Sequence, residues 1–185
     1  VRRVGEVTVV GTVSAERRIL DHPFFPVVER VITNTDGVRE PQLLWDRAGK
    51  RFAVAVGTTT DGNFVLVEEP KYGQLRRFLS VPTGGVKKGE APIDAAAREF
   101  LEETGYECSR WEILRRAPVV DFADKIDGGE HYFFWGIGAT KISEPESDRR
   151  VVIFSLAEIK MMLRGVGTET LELAMTIAAL SIAIL

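Results

Sequence analysis

The sequence predicts an α+β sandwich built on a mixed sheet. Three observations carry that class: strand-like runs dominate the chain up to residue 80, the first long helix comes only at 92 to 104, and more strands follow before the terminal helices. Strands gathered on both sides of one helix argue against repeated βαβ units, in which the two element types alternate from the start. At 185 residues, 45% hydrophobic and 28% charged, the chain has the material for one domain with an ample core.

Residues 6 to 34 read as two or three strands, EVTVVGTV, RRILDH and PVVERVITN, closed by the turn signal Asn34-Thr35-Asp36-Gly37. PQLLWD, RFAVAVGTT and NFVLVEEP continue the pattern, and Asp61-Gly62 between the last two suggests a hairpin. Pro92 suits a first helical position, Asp94 the positive end of the dipole and Gly105 a C-terminal stop, which frames a helix over 92 to 104. WEILRRAPVV, EHYFFWGIGA and RRVVIFSL then read as strands. Ser155 and Glu158 form a capping-box pattern opening a helix through about Leu163. Gly165 and Gly167 break the chain, and the last helix is expected from near Thr168.

Charge and composition exclude several classes. A formal net charge of −3 gives no electrostatic case for gripping nucleic acid or an anionic membrane. The single cysteine, Cys108, forms no internal disulfide and reads as an inert residue suited to a reducing cytosol. The N-terminal VRRVGEVTVVG has too short an apolar run for a signal peptide. The C-terminal LELAMTIAALSIAIL contains Glu172 and falls short of the ~20 apolar residues a membrane span needs, so it reads as a buried or interface helix. A cytoplasmic protein with a small-molecule partner is the expectation.

The helix at 92 to 104 carries the chemistry. Ile93, Ala96, Ala97, Phe100 and Leu101 gather on one side, the stripe of a helix lying on a sheet. Glu99, Glu102 and Glu103 fall on an adjoining arc, where like charges at these spacings repel by only a few tenths of a kcal/mol per pair. A solvated acidic face tied down by Arg98 would tolerate that. Three carboxylates on one rigid helix also make an oxygen donor set for a hard divalent cation, which prefers to share its shell with phosphate. The Gly84-Gly85 pair upstream would let the backbone turn tightly and approach a ligand.

The full spacing favours the second reading. Gly84, five residues, Glu90, seven residues, then Arg98-Glu99-Phe100-Leu101-Glu102-Glu103-Thr104-Gly105-Tyr106 meets every fixed position of the Nudix box, G-x5-E-x7-R-E-U-x-E-E-x-G-U, with Phe100 and Tyr106 in the hydrophobic slots. The chain thus resembles a Nudix hydrolase, a family that cleaves a nucleoside diphosphate linked to another moiety and uses Mg²⁺ or Mn²⁺. The resemblance implies the family's α/β/α sandwich. It makes Glu99, Glu102 and Glu103 metal ligands, joined by the backbone carbonyl of Thr83. It has Arg98 pair with Glu90 or a helix carboxylate and fix the loop on the helix, while Gly84 and Gly85 help to position the phosphates.

The likeness extends to the ADP-ribose pyrophosphatase branch. In that branch a strand-rich N-terminal segment, here 1–45, precedes the Nudix domain, here 46–185, and helps to build a homodimer and cover the substrate. FVLVEEPKYG sits where the branch carries an L-V-x-Q-Y/F-R segment, so Lys71 would replace an arginine that contacts substrate phosphate. Its alternative is an exposed loop lysine. Ser80-Val81-Pro82-Thr83-Gly84 departs from the branch's E-L-P-A-G, and no proline stands some sixteen residues beyond the box, which leaves a nucleotide sugar or another ADP-linked compound open beside ADP-ribose. The branch's general base lies on a loop after the box. In this chain Glu146 is the first choice for it and Glu144 the second, and a solvated acidic turn is the bland alternative. Two further readings stand beside the hydrolase: a nucleotide sensor without catalysis, and a nucleoside triphosphate pyrophosphohydrolase.

Overall fold

The computed structural model describes residues 11–120, 125–146, 148–166 and 169–185, apart from the side chain of Asp127. Contacts divide the chain into two compact units, Val1–Gly49 with Val120–Gly129, and Lys50–Val119 with Glu130–Leu185. The class is the one expected, a mixed sheet with three helices among the described residues. No helix among the described residues is long and apolar enough to cross a membrane.

In the first unit, β1 (Gly11–Leu20) pairs antiparallel with β2 (Val27–Asn34), and β2 with the start of β3 (Arg39–Thr59), Val27 standing opposite Trp45. The expected break between GTV and RRIL is not there. Register shifts between Val13 and Ala15 and between Arg18 and Leu20 absorb the irregularity, so one strand runs through both. Asn34 closes the β2–β3 turn, its Oδ1 accepting from the backbone N–H of Asp36 and Val38, both at 2.9 Å. Phe25 stacks on Trp45, with 4.6 Å between ring centroids. The expected strand over 6–10 lies outside the described residues.

PQLLWD and RFAVAVGTT, expected as separate strands, are one strand: β3 continues through Gly49 into the second unit. The Asp61-Gly62 hairpin forms as expected and leads into β4 (Phe64–Lys71), with Thr58 opposite Phe64. β4 also pairs antiparallel with β5 (Arg76–Ser80), and β3 with the short β6 (Thr83–Gly85). The helix α1 (Pro92–Thr104) follows. Its N-cap, Ala91, makes no side-chain bond, and Gly105 ends it in the left-handed conformation at φ 72°, donating to Leu101 O. β7 (Tyr106–Glu107), β8 (Arg110–Ile113) and β9 (Val119–Val120) each pair with β10 (Ile126–Lys141). β11 (Arg150–Phe154) pairs antiparallel with β4 and runs into α2 (Leu156–Leu163). There Ser155 and Glu158 make the expected reciprocal capping box.

The last helix, α3 (Ala174–Ala183), begins later than the sequence suggests. Arg76 of β5 holds Glu172 with a bond from Nη1 at 3.0 Å, and Leu171 is buried in the core, so this stretch is tied down before a helix can start. Gly167 and Thr168 lie outside the described residues.

Strand alternation makes the second unit a sandwich. Val54 and Val56 pack with Phe64, Leu66 and Phe133 against α2 and α3, through Ile159, Met162, Ala179 and Leu180. Ala53, Ala55, Val65 and Phe134 fall on the other face and pack against Ala95, Ala96 and Phe100 of α1. Successive side chains on one strand thus serve opposite layers, as the period of two requires. The alanine side lets α1 lie close. A Cβ built on Gly57 would stand 2.1 Å from Phe100 Cζ, so only glycine accepts the ring there. Cys108 is half-buried, and burial pushes its thiol up to about 12, consistent with an inert residue.

Candidate functional site

The residues singled out in the box lie in the second unit, from β6 through the loop after it and α1 to Gly105, which caps the helix, and Tyr106, which opens β7. Arg98 is their hub. Its Nε donates to Glu90 Oε1 at 2.8 Å, and Nη2 donates to Glu90 Oε2 at 3.1 Å and to the Gly85 carbonyl at 2.9 Å. Nη1 donates to Glu99 Oε1 at 2.6 Å and Glu102 Oε2 at 3.1 Å. A guanidinium has five N–H donors, so all five are used. Glu90 also accepts from the Lys87 backbone at 2.7 Å. Bonds from Arg98, and then from the Lys87 backbone, hold the Glu90 carboxyl down at about 2. The expected Arg98–Glu90 pairing and the helix pairing therefore both form, and they tie the loop to α1.

The two glycines have different roles. Both lie in β6, paired with β3, where the sequence suggested a tight turn. A Cβ on Gly84 would meet the Glu99 carboxyl at 1.9 to 2.2 Å, whereas one on Gly85 would meet nothing within 4 Å among the described residues. Gly84 is the cradle of Glu99. Thr83 stands opposite Val54 at the start of β6, and its hydroxyl donates to the Val81 carbonyl at 3.1 Å.

Glu103 is the unusual member. It is buried, 5% exposed. Its Oε1 accepts from Arg149 Nη2 at 3.0 Å, while its Oε2 is buried without a hydrogen-bond partner among the described residues. Burial pushes its carboxyl up to about 8, and nearby Glu69 and Glu99 add to the rise, against the opposing pull of Arg149 and Lys71. A buried orphan carboxylate oxygen is costly unless something satisfies it.

Two residues of this neighbourhood escaped the motif. Glu69, on β4, takes Lys71 Nζ and Ser80 Oγ on Oε1, each at 2.6 Å, and its Oε2 lies 3.6 Å from Arg149. Burial opposes ionisation of Glu69, but the bonds from Lys71 and Ser80 prevail and hold it below its ordinary value. Arg149 immediately precedes β11. The only sequence signals were the position of Glu69 in FVLVEEPKYG and the Arg149-Arg150 pair.

The post-box loop docks on the end of α1. Ile142 and Ser143 donate backbone bonds to the Gly105 carbonyl, and Glu146 N donates to the Glu102 carbonyl at 2.7 Å. Glu146 is thereby held at the glutamate end of the helix, its side chain exposed. Glu144 instead pairs with Lys141 at 2.7 Å.

A fit to a divalent cation rests on the donors present. No three of the described His, Cys, Asp and Glu side chains form a ready-made metal cage. Glu99 and Glu102 turn to Arg98, and Glu103 turns one oxygen to Arg149. What fits is the chemistry: carboxylate oxygens on one helix, one of them buried and unsatisfied. Mg²⁺ needs only one or two carboxylates when water and phosphate fill its remaining positions.

Residues 49–168 match the family model of the NUDIX domain. The chain belongs to the NUDIX family. Its relatives include a methanol dehydrogenase activator of Bacillus methanolicus, 40% identical over 76 residues, 40% of this chain and 41% of that protein. An ADP-ribose pyrophosphatase of Bacillus subtilis is 37% identical over 76 residues, with the same shares. This NUDIX chain thus spans about two fifths of the length of these curated relatives. Bacterial RNA pyrophosphohydrolases match as well. Among solved structures, that of an ADP compounds hydrolase superposes with a TM-score of 0.83 at 17% identity, covering 97% of this chain and 95% of that one, which establishes the shared fold.

Proposed function

We propose that this NUDIX protein hydrolyses the diphosphate of ADP-ribose or a related nucleoside diphosphate sugar, with Mg²⁺ or Mn²⁺, to a nucleoside monophosphate and a sugar phosphate. The observation that carries this reading is Glu103: a buried carboxylate with one oxygen held and the other unsatisfied, on the helix that bears Glu99 and Glu102. Those three glutamates, with the Thr83 carbonyl, would hold the cation. A bound cation supplies charge neutralisation for phosphate oxygens and acidifies water.

The chain's own groups do the rest. Arg98 fixes the Gly84–Glu90 segment on α1, so the donors keep their places. Lys71 offers a positive charge to a phosphate, and to do so it must leave Glu69. Glu146 is the proposed base that takes the proton of the attacking water, being tethered at Glu102; Glu144 comes second because Lys141 already holds it. Water adds to one phosphorus, the bridging P–O bond breaks, and ADP-ribose yields AMP and ribose 5-phosphate. The N-terminal strands are proposed to pair two copies of the chain and cover the substrate. The resemblance to the ADP-ribose pyrophosphatase branch supports this reading, as do the relatives of that name.

A second reading, a pyrophosphohydrolase acting on a triphosphate end, is favoured by the RNA pyrophosphohydrolases among the relatives. A panel of ADP-ribose, NADH, UDP- and GDP-sugars, nucleoside triphosphates and 5′-triphosphate RNA, each with Mg²⁺ and with Mn²⁺, separates the two. ADP-ribose or a nucleotide sugar is expected to turn over fastest, and Glu103→Gln to abolish most of that turnover while the chain stays folded. Preference for triphosphate ends would shift the assignment to the second reading. Tight binding of one compound with no turnover of any would make the protein a sensor.

A further inference from the structure

Arg149 and Glu69 have no place in the box, yet together they set the state of its most buried carboxylate. β11 pairs antiparallel with β4, Arg150 standing opposite Glu68, which brings residue 149 beside Glu69. Arg149 Nη2 then lies 3.0 Å from Glu103 Oε1 and 3.6 Å from Glu69 Oε2. Glu69 is itself pinned by Lys71 and Ser80. The charged chain Lys71–Glu69–Arg149–Glu103 therefore runs from β4 to α1 through one shared guanidinium nitrogen.

We infer that Arg149 is a positioning residue that clamps Glu103 Oε1, anchored by Glu69, and so leaves Oε2 as the oxygen offered to a cation. The inference rests on the reading of Glu103 as a metal ligand and names what orients it. Three facts support a positioning role over plain stability. The contact goes to one oxygen of Glu103 only, and the other oxygen is the unsatisfied one. The same Arg149 nitrogen also lies 3.6 Å from Glu69 Oε2, so a second carboxylate draws it toward β4 and opposes its following Glu103 if that side chain turns. Both carboxylates are well shielded, at 7% and 14% side-chain exposure, so the geometry is weakly screened.

Arg149 also places a positive charge beside the proposed cation, so two opposed effects can be told apart by sign. If Arg149 acts only as a charge, removing it makes the site more negative and tightens cation binding. If it acts by orienting Glu103, removing it weakens binding, and the loss of such an orienting partner typically costs 10- to 100-fold in metal affinity.

The test is Mn²⁺ binding by electron paramagnetic resonance on the full chain and its Arg149→Gln, Arg149→Lys, Glu103→Gln and Arg149→Gln/Glu103→Gln variants, with the Tm of each in EDTA. Arg149→Gln is expected to weaken Mn²⁺ binding about tenfold or more. Arg149→Lys should recover part of that loss, because it keeps the charge but not the fixed direction of the planar guanidinium. On the Glu103→Gln background, Arg149→Gln should change binding less than about twofold, because the partner through which it acts is gone. Binding by Arg149→Gln as tight as wild type or tighter would overturn the inference, and so would additive losses in the double variant. If Arg149→Gln does not fold, as its Tm will show, the Lys variant decides: Mn²⁺ binding equal to wild type would overturn the clamp by an oriented guanidinium. A wild-type chain that binds no Mn²⁺ would remove the cation reading and this inference with it. A wild type that binds, paired with a variant that is indifferent, would remove only the inference.

Discussion

Gly84 and Gly85 are neighbours in the same strand, and the structure assigns them opposite sensitivities. An alanine at 84 would put its Cβ 1.9 Å from Glu99 Cδ. Ordinary carbon contact begins near ~3.5 Å, so the carboxylate must retreat by about 1.5 Å. It is the movable end of its side chain, so the backbone need not shift, but the 2.6 Å bond from Arg98 cannot survive the move. That charge-assisted bond is worth about 1.5 kcal/mol at the low end of its class, the appropriate end for a pair that is partly exposed. Misplacing a group at a reacting centre by ~1 Å can cost ~10²-fold in rate. Gly84→Ala is therefore expected to lose about two orders of magnitude in kcat/KM and only ~1–2 kcal/mol of stability. Gly85→Ala, with open space at its Cβ and no positive φ, should stay within about 0.5 kcal/mol of wild type and retain its rate. Steady-state hydrolysis and urea unfolding of both variants, run side by side, check this. Equal behaviour of the two alanines, or a Gly84→Ala enzyme within twofold of wild type, would refute the steric argument.

Other outcomes follow from the same geometry. Gly57→Ala drives a methyl into the buried Phe100 ring, and should cost about 1–3 kcal/mol, read as a lowered urea midpoint with unchanged slope. In EDTA, Glu103 holds its proton in the folded state up to about 8, whereas the unfolded chain releases it near 4.5. The folded state thus binds more protons across that window, and stability should fall as pH rises from 4.5 to 8; a slope unaltered by Glu103→Gln would refute this. In the first unit Phe24 is 82% exposed, and Val13, Ile19, Leu20 and Leu43 are exposed too, so light scattering is expected to give about twice the 20.5 kDa of one chain.

Much of the fold was legible because its signals are local. Pro92, Asp94 and Gly105 framed α1 to the residue, and Ser155 with Glu158 framed α2, since caps act within one turn. Strand limits were less legible. PQLLWD and RFAVAVGTT read as two strands, yet β3 runs through both with Gly49 between them at a positive φ, and the short β5 and β6 have too few residues to show a period. The last helix was misplaced because the two residues just ahead of it, Leu171 and Glu172, are engaged by the core and by Arg76, partners distant in sequence. The site divides in the same way. Everything within the spacing from Gly84 to Glu103 was visible as a pattern. Glu69 and Arg149 were not, because their approach to Glu103 depends on the register of β4 against β11, and register is a tertiary fact.

The charges of the assembled site decide the order in which its ligands can bind. Glu69, Glu90, Glu99, Glu102 and Glu103 face Lys71, Arg98 and Arg149, so the cluster carries one uncompensated negative charge while Glu103 keeps its proton and two once a cation displaces that proton. One divalent cation balances them. A bare diphosphate brings two more negative charges, and near a protein surface each like-charge pair a few ångströms apart costs up to ~4 kcal/mol before salt and relaxation reduce it. Lys71 cannot offset that alone while Glu69 holds it at 2.6 Å. Cation and diphosphate should therefore bind with strong positive coupling, and by linkage each raises the affinity of the other equally. Calorimetric titration of a methylene-bridged ADP-ribose analogue, in EDTA and then in saturating Mg²⁺, measures the coupling. Affinity at least tenfold higher with Mg²⁺ is expected. Equal affinity in the two buffers would mean that the five glutamates do not act on the ligand's charge at all, and the acidic helix would revert to a solvated face.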